Sequence, residues 1–305
     1  MDKAKVYQWL REGINEKNLL LNEPMNKHTS FKVGGPVDIM VLPENVKELQ
    51  WVVEICRNEA LPFLVIGNGT NLLVRDKGIR EIIIKISHNL SEKSVKGTLI
   101  RALAGSSLSS VAHLAWKSGL IGLEFASGIP GALGGGVSMN AGAYGSEMKD
   151  VVKSIIALKT SGELVEVNNG DLLFEYRSSK VQKEENLIIV EVSLDLEPGD
   201  PDEILMKMRK LNKLRQLKQP LDFPNAGSTF KRPTGYYAGK LIEDAGLKGK
   251  RIGGAQVSRK HAGFLINLGY ATSDDIIKLI ALIRKTVEEK FGVLLEPEVK
   301  ILGEP

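Results

Sequence analysis

The chain has 305 residues, of which 43% are hydrophobic and 26% are charged, and this is the composition of an ordinary globular protein. A chain of this length exceeds what one small core usually organises, so we expect two or three domains. The net charge of +4 comes from lysines and arginines that are mixed with acidic residues. This pattern gives weak support to an anionic small substrate and little support to nucleic-acid binding.

The sequence also argues against several kinds of site and location. Cys56 is the only cysteine, so the chain forms no internal disulfide, and its apolar surroundings indicate a buried packing residue. The four histidines are scattered without metal-ligand spacing, so we expect no metal site. No apolar segment approaches the ~18 residues of a membrane span, and a signal-peptide core is not evident. We therefore expect a cytoplasmic protein without nucleic-acid, membrane or obligate protein partners.

The first half of the chain alternates between strand and helix patterns. Residues 1–25 resemble a short helix and a linker. Asn45 and Glu48 resemble a capping box for a helix with one apolar face. The wholly apolar run 63–66 predicts a strand buried on both faces. The other predicted elements are strands at 37–42, 81–86 and 99–104 and a helix at 107–118.

The second half begins with further strands and ends with helices. A Pro-Gly-Asp-Pro run at 198–201 is a strong break signal, and we place a domain boundary there. The predicted strands are 151–158, 163–167, 187–196, 262–267 and 293–301, and the predicted helices are 202–219, 236–245 and a long amphipathic helix capped by Ser273. The first of these helices carries one apolar stripe, formed by Ile204, Leu205, Met208, Leu211, Leu214 and Leu217. The inward face of the long helix is predicted to consist of Ile276, Ile277, Ile280, Ile283 and Val287. The pattern as a whole predicts an α+β fold.

Five residues directly after the run 63–66 form a first candidate ligand loop: Gly67, Asn68, Gly69, Thr70 and Asn71. Glycines let the backbone approach a ligand closely, and successive N–H groups form an anion-binding concavity. The loop lacks the third glycine of a dinucleotide fingerprint and the Lys-Ser or Lys-Thr of a Walker A loop. A tight turn without a ligand stays open as the alternative.

The segment 127–145 holds seven glycines in nineteen residues, which is incompatible with an ordinary helix or strand throughout. Such a content costs backbone entropy on folding, so a structural role alone explains it poorly. A segment that lies flat against a dinucleotide explains it better, with a flexible lid as the alternative. The cofactor-binding candidates here are Ser127, Gly128, Pro130, Gly131, Gly134, Gly135, Asn140 and Gly142.

Three residues are candidates for the chemistry itself. Arg177 would supply a fixed cation for a carboxylate or a developing enolate, although a lone arginine is most often a surface charge. Ser228 has small neighbours that leave its hydroxyl accessible, with a simple turn serine as the alternative. Because a free hydroxyl is a poor acid, proton donation by Ser228 needs a very basic acceptor. Glu298 lies by the final strand, where carboxylates are usually solvated.

Together these segments resemble the UDP-N-acetylenolpyruvoylglucosamine reductase (UDP-N-acetylmuramate dehydrogenase) family of peptidoglycan precursor synthesis. The resemblance runs from His28-Thr29-Ser30-Phe31 to the segment 298–303, and the order and spacing of four motifs agree. It implies two α+β FAD-binding subdomains of the vanillyl-alcohol oxidase (PCMH-like) type, which we assign to 1–87 and 88–200. A substrate-binding domain follows at 201–305, with its last strand, 293–305, as a candidate to rejoin the first subdomain.

The resemblance also implies the cofactor and the reaction. FAD would be held non-covalently by the two glycine-rich segments, with NADPH as co-substrate. NADPH reduces FAD, and the flavin N5 hydride then goes to the vinyl carbon of UDP-N-acetylglucosamine enolpyruvate. Arg177 is implied to stabilise the resulting enolate and Ser228 to protonate its carbon, giving UDP-N-acetylmuramate. Glu298 is implied to be the acidic residue at the same centre.

The sequence departs from the family pattern after the serine segment. Some members have Lys-Asn-Pro there, whereas this chain has Lys231-Arg232-Pro233. The chain is also similar to the shorter class without an extra substrate-capping element, so no aromatic residue is assigned to close over the UDP-sugar. Lys231, Tyr237 and Lys240 are candidates for contacting the substrate.

Two other functions stay open. A carbohydrate or alcohol oxidase on the same scaffold often binds FAD covalently through His or Cys. Here Cys56 lies in a helix stripe and the loop 67–71 contains no histidine, which argues against that function. A nucleotide-binding module without chemistry would make Ser228 and Arg177 structural. NADPH oxidation that depends on the enolpyruvyl substrate separates the three functions.

Overall fold

The structure is a computed structural model that describes residues 2–184 and 186–305. Its helices are α1 (Lys3–Arg11), α2 (Val46–Asn58), α3 (Leu108–Lys117), α4 (Leu133–Ser138), α5 (Lys180–Lys183), α6 (Pro201–Lys218), α7 (Ala238–Asp244) and α8 (Ser273–Phe291). Its strands are β1 (Leu19–Pro24), β2 (Pro36–Val41), β3 (Phe63–Ile66), β4 (Leu72–Val74), β5 (Ile79–Lys85), β6 (Lys93–Lys96), β7 (Leu99–Leu103), β8 (Leu120–Ile121), β9 (Gly142–Ala143), β10 (Ser146–Glu147), β11 (Val152–Lys159), β12 (Leu164–Asn168), β13 (Leu187–Asp195), β14 (Glu197–Pro198), β15 (Arg251–Ile252), β16 (Ala255–Val257), β17 (Leu265–Asn267) and β18 (Lys300–Leu302).

The backbone forms two compact units, each assembled from separate stretches of sequence. The first unit comprises Met1–Leu21, Ile39–Asn68 and Glu81–Leu214. The second unit comprises Asn22–Asp38, Gly69–Arg80 and Arg215–Pro305. The division into 1–87, 88–200 and 201–305 stays a prediction.

The first unit contains one whole sheet, most of a second sheet and the helices that cover them. One sheet has the order β1-β2-β5-β3, with β3 parallel to β5, and the other is antiparallel with the order β12-β11-β13-β7-β6. As predicted, α2 begins after Asn45, whose side-chain oxygen accepts the N–H of Glu48 at 3.0 Å. The predicted capping box is only half formed, because the Glu48 carboxylate accepts the N–H of Glu44 at 2.7 Å instead of that of Asn45. The apolar face of α2 is buried by Leu49, Val52, Val53, Ile55 and Cys56. Burial of each such side chain contributes about 1.5–3 kcal/mol and fixes the helix on the sheet.

Strand β3 is wholly apolar, but the structure does not bury it on both faces. Val65 is 38% exposed, and Ile66 is the buried residue of this strand. β3 is the last strand in its sheet order. The prediction of two buried faces is wrong because an apolar run does not by itself distinguish a central strand from one at the edge.

The second unit combines α7, α8 and the antiparallel sheet β15-β16-β17 with the parallel pair β4–β18. Helix α8 begins after Thr272, whose hydroxyl accepts the N–H of Asp275 at 3.1 Å in a capping box. The predicted cap at Ser273 is therefore one residue late, because two hydroxyl residues precede the apolar face. Ser273 instead donates its N–H to Asp76 at 3.0 Å. The buried face of α8 consists of Ile276, Leu279, Ile280, Ile283 and Val287.

Three other elements differ from their prediction. The predicted linker before residue 25 contains β1, and the predicted strand 293–301 is reduced to β18 and an isolated bridge at Pro297. Helix α6 lies within one residue of its predicted bounds but buries only Ile204 and Met208, while Leu217 is 64% exposed. In the described part of the chain, every helix is too short or too polar to span a lipid bilayer.

Candidate active site

Ser228 lies in a turn of the second unit, and the Asn225 side chain forms the hydrogen bonds that shape this turn. The side-chain oxygen of Asn225 accepts the N–H of Gly227 at 2.9 Å, and its amide donates to the carbonyls of Pro220 and Phe223 at 3.2 and 2.8 Å. Gly227 has a φ of +76°, which favours glycine, and apart from its chain neighbours no described residue lies within 4 Å of the position that its Cβ would take. The space beside the backbone of Gly227, next to the half-buried Ser228, is therefore open.

Thr229 joins the Ser228 turn to two other segments of the same unit. It is 1% exposed. Its N–H donates to the carbonyl of Gly263 at 2.9 Å and its hydroxyl accepts the N–H of Leu265 at 3.2 Å. Its carbonyl accepts the N–H of Glu298 at 2.8 Å. The structure thus brings the backbones of Ser228 and Glu298 together, although 70 positions separate them in the sequence (298 − 228).

Asn71 also binds the main chain at Glu298. Its side-chain amide donates to the carbonyl of Glu298 at 3.0 Å, and its own carbonyl accepts the N–H of Lys300 at 3.0 Å. These two bonds continue the parallel pairing of β4 with β18. Asn71, Glu298 and Ser228 therefore share one neighbourhood in the second unit.

The three predicted substrate contacts lie in the second unit as well. Lys231 donates its N–H to the carbonyl of Glu296 at 2.9 Å and pairs its ammonium with the same residue's carboxylate. Tyr237 is 63% exposed, and the guanidinium of Arg232 lies 4.0 Å from its ring centroid. A hydrogen bond to Asp244 raises the pKa of Lys240. Their contact with a substrate stays a prediction.

The loop 67–71 is divided between the units. Gly67 and the exposed Asn68 belong to the first unit, and a Cβ on Gly67 would lie 3.0 Å from that of Ala132. Gly69 and the half-buried Thr70 belong to the second. Gly69 has a φ of +64°, and a Cβ there would meet the carbonyl oxygen of His28 at 2.0 Å. Both observations require glycine at position 69, so this glycine has a structural role.

Close packing explains some glycines of the segment 127–145 and leaves one unexplained. In α4 a Cβ on Gly134 would lie 2.9 Å from that of Ala104, and one on Gly136 would lie 3.0 Å from Leu108. Gly135 is exposed, and beyond its chain neighbours and the backbone of its own helix no described atom lies within 4 Å of its Cβ position. Bare backbone at Gly135 therefore faces open space, as an extended ligand that lies against the chain would require.

The other candidates of this segment have packing roles or lie at the surface. Ser127 is buried and donates its hydroxyl to the carbonyl of Glu124 at 2.8 Å. Gly131 has a φ of +136°, and its carbonyl accepts the N–H of Leu108 at 3.1 Å. Gly128 is half-buried and Pro130 is exposed. Their contact with a cofactor stays a prediction.

Arg177 lies at the tip of a tight hairpin in the first unit. Glu175 and Ser178 exchange two main-chain hydrogen bonds of 3.0 and 3.2 Å around it. Arg177 has a φ of +56°, a left-handed conformation that costs a non-glycine residue about 1 kcal/mol or more. Its guanidinium donates to the carbonyl of Gly142 at 3.2 Å and lies 5.0 Å from the ring centroid of Tyr176. An arginine at a position that favours glycine indicates a role for its side chain.

Asn140 anchors this hairpin. It is fully buried and has a φ of +43°. Its amide donates to the carboxylate of Glu147 at 2.7 Å and to the carbonyl of Glu175 at 3.0 Å, and its side-chain oxygen accepts the N–H of Lys149 at 2.9 Å. Because both amide hydrogens are used inside the protein, this geometry favours an anchoring role over the predicted contact with a cofactor.

Sequence analysis missed two residues of these networks. Ser179 is fully buried and donates its hydroxyl to the carbonyl of Ser138 at 2.7 Å. Thr229, which directly follows Ser228, was not given a role. A polar residue flanked by small or apolar ones was the available signal for Thr229, whereas nothing local distinguishes Ser179 from a surface serine.

Burial shifts the pKa of His261 and of Cys56. Burial lowers the pKa of His261 below its ordinary value of 6.5, and its Nδ1 accepts the N–H of Gly263 at 3.1 Å. That bond needs the neutral ring. Burial raises the pKa of Cys56 to about 12, so its thiol is not a reactive group and does not suit covalent attachment of a flavin.

Comparison with known proteins identifies the family. Residues 219–302 match the family model for the C-terminal domain of UDP-N-acetylenolpyruvoylglucosamine reductase, and residues 37–168 match that for an FAD binding domain. The chain is 54% identical over 295 residues to the UDP-N-acetylenolpyruvoylglucosamine reductase of Caldanaerobacter subterraneus subsp. tengcongensis, covering 97% of each chain. It is 51% identical over 304 residues to that of Alkaliphilus oremlandii, covering all of each. The chain belongs to the UDP-N-acetylenolpyruvoylglucosamine reductase family.

Solved structures agree with this membership. The crystal structure of UDP-N-acetylenolpyruvylglucosamine reductase from Thermus caldophilus matches with a TM-score of 0.80 and 33% identity, over 93% of this chain and 98% of that one. A variant of Phl p 4, a glucose oxidase, matches with a TM-score of 0.51 and 14% identity, over 64% of this chain and 44% of that one, and shows the fold alone. The predicted α+β FAD-binding fold is confirmed.

Membership in the reductase family also confirms an FAD-dependent oxidoreductase that uses NADPH in peptidoglycan precursor synthesis. The residues present fit the cofactor, because the exposed backbone at Gly135 lies inside the span that matches the FAD binding domain. The roles of single residues, Ser228, Arg177 and Glu298 above all, stay predictions.

Proposed function

We propose that this chain reduces UDP-N-acetylglucosamine enolpyruvate to UDP-N-acetylmuramate and that Ser228 is the proton donor. The observation that carries the proposal is the Ser228 turn. Gly227 leaves open space beside the serine, and Thr229 ties the turn to the backbone of Glu298 through a 2.8 Å hydrogen bond. We propose the cytoplasm as the location, since nucleotide sugars and NADPH are available there, and the reaction requires no partner protein.

The residues that we propose to hold FAD without a covalent bond lie in the two glycine-rich segments. They are Gly67, Asn68, Gly69, Thr70 and Asn71 in the first and Ser127, Gly128, Pro130, Gly131, Gly134, Gly135 and Gly142 in the second, with Asn140 as an anchor. The FAD held there would supply the hydride, taken from NADPH, for the vinyl carbon of the enolpyruvyl group.

Residues of the chain itself are proposed to stabilise the negative charge that forms and to supply the proton. Addition of hydride leaves negative charge on the carbon that bears the carboxylate, and we propose that the guanidinium of Arg177 stabilises this charge. Such a carbanion is basic enough to take the proton of the Ser228 hydroxyl, and the alkoxide regains a proton from solvent. Glu298 supplies the acidic group beside Ser228, and Lys231, Tyr237 and Lys240 are proposed contacts of the UDP-sugar.

The test of the proposed function is a substrate requirement. We expect the FAD-loaded protein to oxidise NADPH rapidly only with UDP-N-acetylglucosamine enolpyruvate present, and to form one UDP-N-acetylmuramate for each NADPH consumed. NADPH absorbance and chromatography of the product measure the two quantities. An FAD-loaded protein whose NADPH oxidation is the same with and without the enolpyruvyl substrate contradicts the proposal.

A further inference from the structure

We propose that Asn140 is a positioning residue for Arg177, acting through the hairpin at 175–178. The inference rests on the proposed function, because it assumes that Arg177 stabilises charge in the reaction. Asn140 does not act on the substrate itself: both hydrogens of its amide and its side-chain oxygen are committed within the first unit.

Hydrogen bonds from Asn140, Arg177 and Ser179 join the hairpin region to the segment that contains Asn140. The amide of Asn140 donates to the carbonyl of Glu175 at 3.0 Å, and the guanidinium of Arg177 donates to the carbonyl of Gly142 at 3.2 Å. The hydroxyl of Ser179 donates to the carbonyl of Ser138 at 2.7 Å. Asn140 and Ser179 are both fully buried, so neither bond competes with water.

The chemistry of Asn140 leaves little freedom in the direction of its amide. One hydrogen is taken by the carboxylate of Glu147, which is itself paired with the ammonium of Lys149 at 3.1 Å. The side-chain oxygen is taken by the main-chain N–H of Lys149. The second hydrogen is thereby directed at Glu175. An asparagine supplies two donors and an acceptor together, which an aspartate does not.

The hairpin needs such an anchor because its own backbone is strained. Arg177 has a φ of +56° and Asn140 a φ of +43°. Left-handed residues other than glycine persist where the surrounding contacts determine them. Removing the Asn140 amide releases the carbonyl of Glu175 and lets the turn relax, which moves the guanidinium of Arg177 away from the position that the reaction needs.

The experiment compares the two half-reactions in Asn140→Ala by rapid mixing of the FAD-loaded protein. We expect its reduction by NADPH to stay within about twofold of the wild type, and its re-oxidation by the enolpyruvyl substrate to slow about tenfold or more, since small misplacements of a reacting group have large effects on rate. Equal rates of re-oxidation in variant and wild type would overturn the proposal, as would equal slowing of both half-reactions.

Asn169→Ala is the matched control. The amide of Asn169 donates to the carbonyls of Lys149 and Val152 at 2.9 and 2.6 Å, so it is anchored to the same neighbourhood. Both of these bonds lie outside the hairpin at 175–178, so both half-reactions are expected at wild-type rates. Slow re-oxidation in Asn169→Ala would assign the effect to general loosening of the first unit and would contradict the proposal.

A double-mutant cycle tests whether Asn140 acts through Arg177. If it does, Asn140→Ala adds no further slowing to a protein that already carries Arg177→Ala. Slowing of re-oxidation by the same factor in both backgrounds would show an independent effect and would contradict the proposal.

If Asn140→Ala folds poorly, the double variant Asn140→Asp with Glu147→Gln separates a shift in the position of Arg177 from a loss of protein stability. The aspartate accepts hydrogen bonds from the carboxamide introduced by Glu147→Gln and from the N–H of Lys149, but it has no hydrogen for the carbonyl of Glu175. We expect thermal stability to exceed that of Asn140→Asp alone while re-oxidation stays slow. Wild-type re-oxidation in this double variant would overturn the proposal.

Failure of the proposed function gives a different result. In that case the wild-type protein itself is not re-oxidised by the enolpyruvyl substrate. Hydrogen exchange of the amides at 175–179 then still tests the anchor: exchange is expected to be faster in Asn140→Ala than in the wild type or Asn169→Ala. Unchanged exchange would contradict the anchoring role.

Discussion

Side chains and main chain both contribute to the Ser228 turn and the Arg177 hairpin, since Asn225 closes the first internally and main-chain bonds close the second. The two differ in the bonds that tie them to the rest of their units. Thr229, next to Ser228, exchanges main-chain hydrogen bonds with Gly263 and Glu298. The Arg177 hairpin is tied to its surroundings by side chains, among them Asn140 and Ser179. Main-chain hydrogen bonds survive most substitutions, whereas one substitution removes a side-chain anchor. We therefore expect the position of Arg177 to be more sensitive to neighbouring mutations than that of Ser228.

The largest effect is expected for Ser228→Ala. It removes only the hydroxyl, so re-oxidation by the enolpyruvyl substrate should slow ~10²-fold or more while reduction by NADPH stays nearly intact. Rapid mixing of each half-reaction measures both rates, with Ser94→Ala on the exposed strand β6 as the control. Equal losses in both half-reactions would mean that the serine shapes the fold.

Arg177→Ala and Arg177→Gly separate activity from strain. Both remove the guanidinium, so both should slow re-oxidation by a similar factor of about 10²-fold. Their stabilities should differ, because at a φ of +56° glycine avoids a cost of about 1 kcal/mol that alanine bears. Denaturant unfolding of the two variants measures this difference. Equal stability would contradict the strained conformation of Arg177.

Thr229→Val tests whether the Ser228 turn tolerates the loss of a side-chain contact better than the Arg177 hairpin does. It leaves the N–H of Leu265 without its acceptor, which should cost about 1–3 kcal/mol of stability. The main-chain bonds of residue 229 remain, so re-oxidation should slow less than in Asn140→Ala. Thr229→Ser keeps the hydroxyl and is the control. A larger rate loss in Thr229→Val than in Asn140→Ala would reverse the expected order of sensitivity.

The smallest expected effect is a dependence of stability on pH through His261. Its folded pKa lies below 6.5, so on acidification the unfolded chain binds the proton first. Stability therefore falls as the pH drops below about 6.5 and levels off below the folded pKa. The charged neighbours Lys248, Glu243 and Lys218 contribute with opposite signs. Unfolding free energies of the wild type and His261→Gln, measured across this range, should diverge at acid pH; parallel curves would exclude His261 as the source.

The sequence predicted the features that depend on neighbours in the chain. The cap at Asn45 and the buried stripes of α2 and α8 follow from local chemistry and helical periodicity. The glycine-rich segments were also visible, and Gly135 retains the interpretation given to them. The family was found because four motifs kept their order, which is a property of sequence.

The features that depend on tertiary contacts were not predictable in the same way. Asn140 was assigned to the cofactor together with the glycine-rich segment that contains it, and its hydrogen bonds to Glu147 and Glu175 became visible only in the structure. The exposure of β3 depends on its place in the sheet order, which an apolar run does not encode. Gly69 was interpreted as part of a ligand loop, and only the carbonyl of His28 gives it a packing reason.

The second unit is assembled from segments that are far apart in the sequence, and this affects how the chain folds during translation. Asn71 and Glu298, which are hydrogen-bonded to each other, are 227 residues apart. At a translation rate of about 5–20 residues per second, Asn71 is made roughly 10 to 45 s before its partner. During that interval Phe31 and Leu73, both fully buried in the finished unit, have no completed core to enter. We expect chaperones to bind these two early segments of the nascent chain during translation.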